Sequence, residues 1–215
     1  MFDTTVKLVG APDVMVANAG ITIPETTFSD EYADDGLLKE PQYKIVDINL
    51  IGVFNTVKLA IHHMRKRPEG GNIILMASKA GYSAPMGNPL YAATKHGILG
   101  MQRGLANLLP PLNIRLNCLA PGFTDTGIIP PETLDKLRGL GVFVQPASTV
   151  AVAALFLTTS DFYGKAIQVV NNQFREIESG YEAASEIMFG DSAGGRENIG
   201  PDAIKAIADM FVTRL

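Results

Sequence analysis

The chain has 215 residues, 47% of them apolar, a net charge of −4 and one cysteine, Cys118. Length and apolar share exclude a disordered chain and suit one folded domain with a core. The acidic balance, with no basic stripe, excludes nucleic acid as an expected partner, and a single cysteine excludes an internal disulfide framework and suits a reducing compartment.

In chain order, "MFDTTVKLVG" lacks the basic start and long apolar core of a secretory signal. It reads as part of a helix ahead of "DVMVANAG" (13–20), a strand ending in a turn. Residues 43–66 place Ile45, Ile48, Val53, Val57 and Ile61 at helical spacing. "GNIILMAS" (71–78) is an apolar strand, and 89–109 is a long helix with Pro89 at its start and "LPP" at its end. "IRLNCLAPG" is a further strand, in which Cys118 reads as a small buried hydrophobe. Residues 124–149 look irregular and read as a substrate lid. A short apolar helix at 150–159 and a last strand, "KAIQVVN", follow. Residues 172–215 read as a polar C-terminal extension of the same single domain (1–215), closing with an amphipathic helix at 201–215. Apolar strands alternating with helices indicate a parallel sheet covered on both faces. The longest apolar run, "VAVAALFL", is far short of the roughly 20 residues that span a bilayer. A soluble, cytoplasmic protein without a membrane partner is expected.

Tyr91 and Lys95 in "NPLYAATKHGILG" stand four apart, on one face of the long helix. A phenol beside an ammonium suits proton transfer. Ser78 closes an apolar strand 13 residues before Tyr91, Asn49 sits in "DINLIG", and "APG" closes the next strand at 120–122. A parallel sheet presents its active edge at such strand ends. Each residue has a plainer reading: Ser78 as a turn cap, Asn49 as a polar residue on a wet helix face, Asn88 as either a cap or a second hydrogen bond to a substrate oxygen. Adjacent His62 and His63 point in different directions, so no metal site is expected. Gly97, Gly100 and Gly104 along one helix imply close helix packing.

The ordered set "ANAG", "DINLIGVFN", "NIILMAS", "YAATKHGILGMQRGLA" and "NIRLNCLAPGFTDT" resembles the short-chain dehydrogenase/reductase family, in its single-domain, 15-hydroxyprostaglandin dehydrogenase-like branch. The resemblance runs over about residues 2–171. It implies an α/β, Rossmann-like doubly wound parallel sheet and an NAD- or NADP-dependent oxidoreductase. The reaction would interconvert a secondary alcohol and a ketone on a medium-sized, partly apolar metabolite. By the same resemblance Tyr91 is the general acid/base, its pKa lowered by Lys95; Lys95 also holds the nicotinamide ribose. Ser78 hydrogen-bonds the substrate oxygen, and Asn49 holds a water that relays the proton. Asn18, Ala19 and Gly20 lie along the cofactor, Pro121, Gly122, Thr124 and Thr126 face its nicotinamide end, and the protein forms a homodimer or homotetramer, with the helix of Gly97, Gly100 and Gly104 at a dimer contact.

The chain departs from the family pattern at its start. The strand, glycine-rich turn and helix that hold the pyrophosphate do not appear; the one clear G-x-G, "GLG" at 139–141, lies in the lid. An N-terminally truncated sheet is expected, with "DVMVA" as an exposed apolar edge and weak NAD or NADP binding. Two further functions follow from that: a cofactor-independent acid/base enzyme, an isomerase or dehydratase, and a non-catalytic truncated partner of a full-length relative.

Overall fold

The structure, a computed structural model, describes residues 2–23, 27–83, 88–189 and 206. Helix α1 (Phe2–Val9) leads into strand β1 (Val14–Ala17). A continuous helix follows in three stretches: α2 (Lys44–Val46), a π-helical turn (Asp47–Ile51) and α3 (Gly52–Met64). Strand β2 (Gly71–Met76) runs into a 3₁₀ turn (Lys79–Gly81), then α4 (Pro89–Ala106), a second 3₁₀ turn (Pro110–Leu112) and β3 (Ile114–Pro121). Next come β4 (Thr124–Asp125), α5 (Pro131–Gly139), β5 (Gln145–Pro146), α6 (Ala147–Thr159), β6 (Ala166–Val170), β7 (Gln173–Glu176) and α7 (Glu178–Phe189).

The main sheet has the order β1-β2-β3-β6-β7. Its first four strands are parallel, in a register that pairs Met15 with Ile73, Ile73 with Leu116 and Leu119 with Ile167. Strands β2 and β3 are apolar throughout because both of their faces are covered. On one face Val53, Val57 and Met64 of α3 and Ile98 and Leu99 of α4 meet Met15, Ile73, Leu75, Leu116 and Cys118, which is buried and free. On the other, Val150, Ala153 and Leu157 of α6 cover Ile74, Leu119, Ile167 and Val169. That second face is open at β1, the sheet edge, where Val14 and Val16 are 38% and 43% exposed.

Four features differ from the sequence expectation. The strand "KAIQVVN" is not the last: β7 pairs antiparallel with β6, so part of the polar extension closes the sheet. Asn171 and Asn172, with φ of 54° and 57°, make the two-residue turn between them, since asparagine tolerates the left-handed backbone that tight hairpins need. The lid region is not irregular; it holds α5 and a small sheet of β4 with β5. By length and composition the helix Lys44–Met64 is able to cross a bilayer, which a search for unbroken apolar runs missed. Here one side of it, including Ile45, Val53, Val57 and Met64, is buried in the core. Finally, of the three glycines on α4, Gly97 packs within the subunit: a Cβ there would stand 2.8 Å from Leu50 Cδ1, whereas Gly100 and Gly104 face open space. The helix expected at 201–215 lies outside the described residues apart from residue 206.

Candidate active site

Four of the expected residues gather where β1, β2 and β3 end. Asn49 lies in the π turn, where the wider helical turn re-aims its side chain. It is fully buried, not on a wet face. Its Nδ2 donates to the Ile21 carbonyl and its Oδ1 accepts from the Ile21 N–H, both at 2.8 Å. The amide therefore pins the loop after β1. Gly20 shows how tightly the loop is drawn in: a Cβ there would meet Asn49 Oδ1 at 3.3 Å and Lys95 Nζ at 3.7 Å.

Lys95 is 3% exposed, and its Nζ donates to the Met76 carbonyl at 2.8 Å. Burial lowers its pKa from 10.5 to about 8. Nζ stands 5.5 Å from the centroid of the Tyr91 ring, one helical turn back. Burial raises the Tyr91 pKa above its ordinary value, and a hydrogen bond with Ser78 opposes part of that rise. The expected lowering by Lys95 is thus reversed in the free protein: desolvation wins, because the ammonium is directed at the Met76 carbonyl and is itself desolvated.

Ser78 has extended backbone and opens the 3₁₀ turn, with its Oγ accepting from the Ala80 N–H at 3.1 Å and lying 3.5 Å from the Pro121 carbonyl. Ser78 is thus the cap of this turn. Asn88 is the N-cap of α4: Oδ1 accepts from Tyr91 N–H at 3.0 Å, and Nδ2 reaches Thr22 Oγ1 at 3.1 Å and the Ile23 carbonyl at 3.3 Å. That settles the choice left open for Asn88 in favour of the cap.

The expected cofactor residues fringe the same edge. Asn18 and Ala19 are exposed and Gly20 half-buried beyond β1; Pro121 ends β3 and Gly122 follows it. Thr124 Oγ1 donates to the Gly122 carbonyl at 3.0 Å and accepts from Gln145 Nε2 at 3.2 Å, while Thr126 Oγ1 accepts from Ile128 N–H at 3.3 Å. Buried Gln145, which sequence reasoning missed, also donates to the Val169 carbonyl at 2.8 Å and so ties the loop after β3 to β6. Also missed was a cluster of Tyr82, Arg103 and Glu178 behind the site. Its members are up to 96 residues apart and share no local pattern. A groove of about 570 Å³ lined by Arg67, Asn72, Asn113 and Arg115 lies at the opposite, amino end of the strands and contains none of these residues. Among the described residues no group of three His, Cys, Asp or Glu side chains is placed to hold a metal.

A family model described as short chain dehydrogenase matches residues 1–136. The chain is 36% identical over 147 residues to the short-chain dehydrogenase/reductase prx4 of Penicillium roqueforti, covering 68% of this chain and 45% of that protein. It is 32% identical over 206 residues to the short-chain dehydrogenase/reductase ascJ of Acremonium egyptiacum, covering 92% and 68%. Among solved structures, a carveol dehydrogenase from Mycobacterium avium in complex with NAD is similar with a TM-score of 0.65 and 27% identity, over 78% of this chain and 67% of that one. ElxO with NADP bound is similar with a TM-score of 0.61 and 27% identity, over 77% and 68%. The chain spans about half the length of several curated relatives that it matches, 45% and 51% in two of them. Model, relatives and fold agree that the chain belongs to the short-chain dehydrogenase family.

Proposed function

We propose that the chain carries the reaction centre of an NAD(P)-dependent oxidoreductase that interconverts a secondary alcohol and a ketone on a medium-sized, partly apolar metabolite. The observation that carries this reading is the meeting of Tyr91, Ser78 and Lys95 at the carboxyl edge of a parallel sheet. The NAD- and NADP-bound relatives support the choice of cofactor.

The residues present fit the nicotinamide–ribose end of such a cofactor. Among the described residues, Lys95 Nζ bonds one acceptor, Met76 O, and an ammonium has three donors. The others suit ribose hydroxyls beside the tight Gly20 loop. Asn18, Ala19, Pro121, Gly122, Thr124 and Thr126 complete that end. NAD(P), when bound, supplies the hydride acceptor or donor. Tyr91 moves the proton at the substrate oxygen, and Ser78 Oγ donates a hydrogen bond to that oxygen as charge develops on it. A protonated Lys95 near the Tyr91 ring favours the phenolate of Tyr91. Asn49 acts by position, holding Ile21 and thereby the loop over Lys95.

A cofactor-independent proton transfer is the second reading. It is supported by Lys95, whose pKa of about 8 keeps a fraction of neutral amine available near neutral pH. A homo-oligomer is also proposed, through the exposed small residues Ala93, Gly100 and Gly104 on one face of α4.

The test is turnover of a panel of ketones and secondary alcohols at millimolar NAD(P)(H), wild type against Tyr91→Phe. The variant should lose on the order of 100-fold in rate or more. Full activity in Tyr91→Phe would rule the proposed mechanism out.

A further inference from the structure

Glu178 opens α7, far from the motifs of the site, yet it is a buried carboxylate only 3% exposed. A buried charge is costly unless paired and hydrogen-bonded, and here both oxygens are engaged. Oε2 accepts from Arg103 Nε at 2.9 Å; Oε1 accepts from Arg103 Nη2 at 3.1 Å and from the Tyr82 hydroxyl. Arg103 is held in turn by aromatic faces, with its guanidinium carbon 3.7 Å from the Tyr181 centroid and 5.7 Å from that of Tyr82. The Glu178 N–H donates to Glu176 Oε1 at 2.7 Å, which fixes the start of the helix.

The two residues that Glu178 joins belong to the two elements that carry the site. Tyr82 closes the 3₁₀ turn that Ser78 opens: Gly81 N–H donates to the Ser78 carbonyl at 2.9 Å and Tyr82 N–H to the Lys79 carbonyl at 3.0 Å. Arg103 lies eight residues beyond Lys95 on α4, about two turns along the same helix. The turn rests directly on that helix. A Cβ on Gly81 would come within 2.8 Å of Leu99 Cδ1 and 2.9 Å of the Lys95 carbonyl oxygen. The contact at Gly81 sets the distance between turn and helix, and the Tyr82–Glu178–Arg103 link prevents the turn from lifting or swinging.

Resting on the oxidoreductase reading above, we propose that Glu178 is a positioning residue of this enzyme: through Tyr82 and Arg103 it holds the Ser78 turn against the helix that carries Tyr91 and Lys95. Its contribution reaches the reaction only by way of the Ser78 hydroxyl. Burial and the bond to Glu178 also keep the Tyr82 phenol protonated well beyond its ordinary range.

The test combines Tyr82→Phe and Glu178→Gln with Ser78→Ala, and reads both turnover and amide exchange. Tyr82→Phe retains the ring and removes only the hydroxyl; it remains informative should Glu178→Gln fold poorly. Each change should lower kcat about tenfold, the scale of one lost charge-assisted hydrogen bond, with KM changed less than about twofold. In the Ser78→Ala background the same changes should cost little further, since the group they position is gone. In the protein without ligands, exchange at the Gly81 and Tyr82 amides should rise about tenfold while β2 and β3 stay protected. Fully additive kcat losses in the Ser78→Ala background, or unchanged exchange at Gly81 and Tyr82, would overturn the proposal. Absence of hydride transfer in the wild type would sink the oxidoreductase reading instead, and the exchange result alone would then decide whether the link holds the turn.

Discussion

Lys95 is nearly inaccessible, and its ammonium rests on a single carbonyl among the described residues. Its pKa of about 8 in the folded chain, against an ordinary 10.5, has a consequence for stability. Between those values the unfolded chain retains a proton that the folded chain has released, so stability from this group rises with pH across that window. Below pH 8 the full cost is present, about 3 kcal/mol. The stability gap between Lys95→Met and wild type should therefore be constant below pH 8 and shift in favour of the wild type toward pH 10.5. Tyr91, whose pKa is raised, contributes with the opposite sign at high pH but in both proteins. Urea unfolding from pH 6 to 10 checks this; a gap independent of pH would refute the burial argument. The partnership of Tyr91 with Lys95 was legible in the sequence because helical spacing alone puts them on one face. The direction of the Tyr91 shift was not, because it depends on desolvation by residues distant in the chain. Asn49 was legible as a candidate but not in its bonding: only the fold brings Ile21 beneath it.

At the scale of elements, the Ser78 turn and α4 behave as one unit. Gly81→Ala should destabilise by roughly 1–3 kcal/mol, because the added methyl meets backbone as well as a side chain, and it should lower turnover by displacing Ser78. Gly100→Ala, on the same helix but facing open space, is the control. It should stabilise an isolated subunit by about 0.5–1 kcal/mol through helix propensity. Thermal melts of the two variants check both signs. If the exposed face of α4 is the subunit contact, Gly104→Arg should shift sedimentation to the monomer; an unchanged oligomer would exclude this face. The π turn at Asp47–Ile51 and the Asn171–Asn172 hairpin were hidden from the sequence for different reasons. A π turn leaves apolar spacing almost intact, so the segment still reads as plain helix. The hairpin follows a strand with a polar run, Gln173–Glu176, and nothing in that run has the apolar alternation of a half-buried strand.

At the scale of the molecule, the parallel sheet was legible because β2 and β3 are buried on both faces and read as unbroken apolar runs. The closing β7 and α7 were not, since β7 is a polar run held by its backbone ladder with β6 and the start of α7 is fixed by Glu178 and its distant partners. The open face of β1 and the lack, among the described residues, of a glycine-rich phosphate turn leave two chemistries to separate: hydride transfer with NAD(P), and proton transfer without it. The most direct test supplies millimolar NADPH or NADH, deuterated at C4 of the nicotinamide, with a ketone that the turnover panel identifies, and follows the product by mass spectrometry. The account predicts deuterium on the carbinol carbon, and its loss together with product when Tyr91 is replaced by Phe. Product formed without deuterium, or without any need for the cofactor, would contradict it.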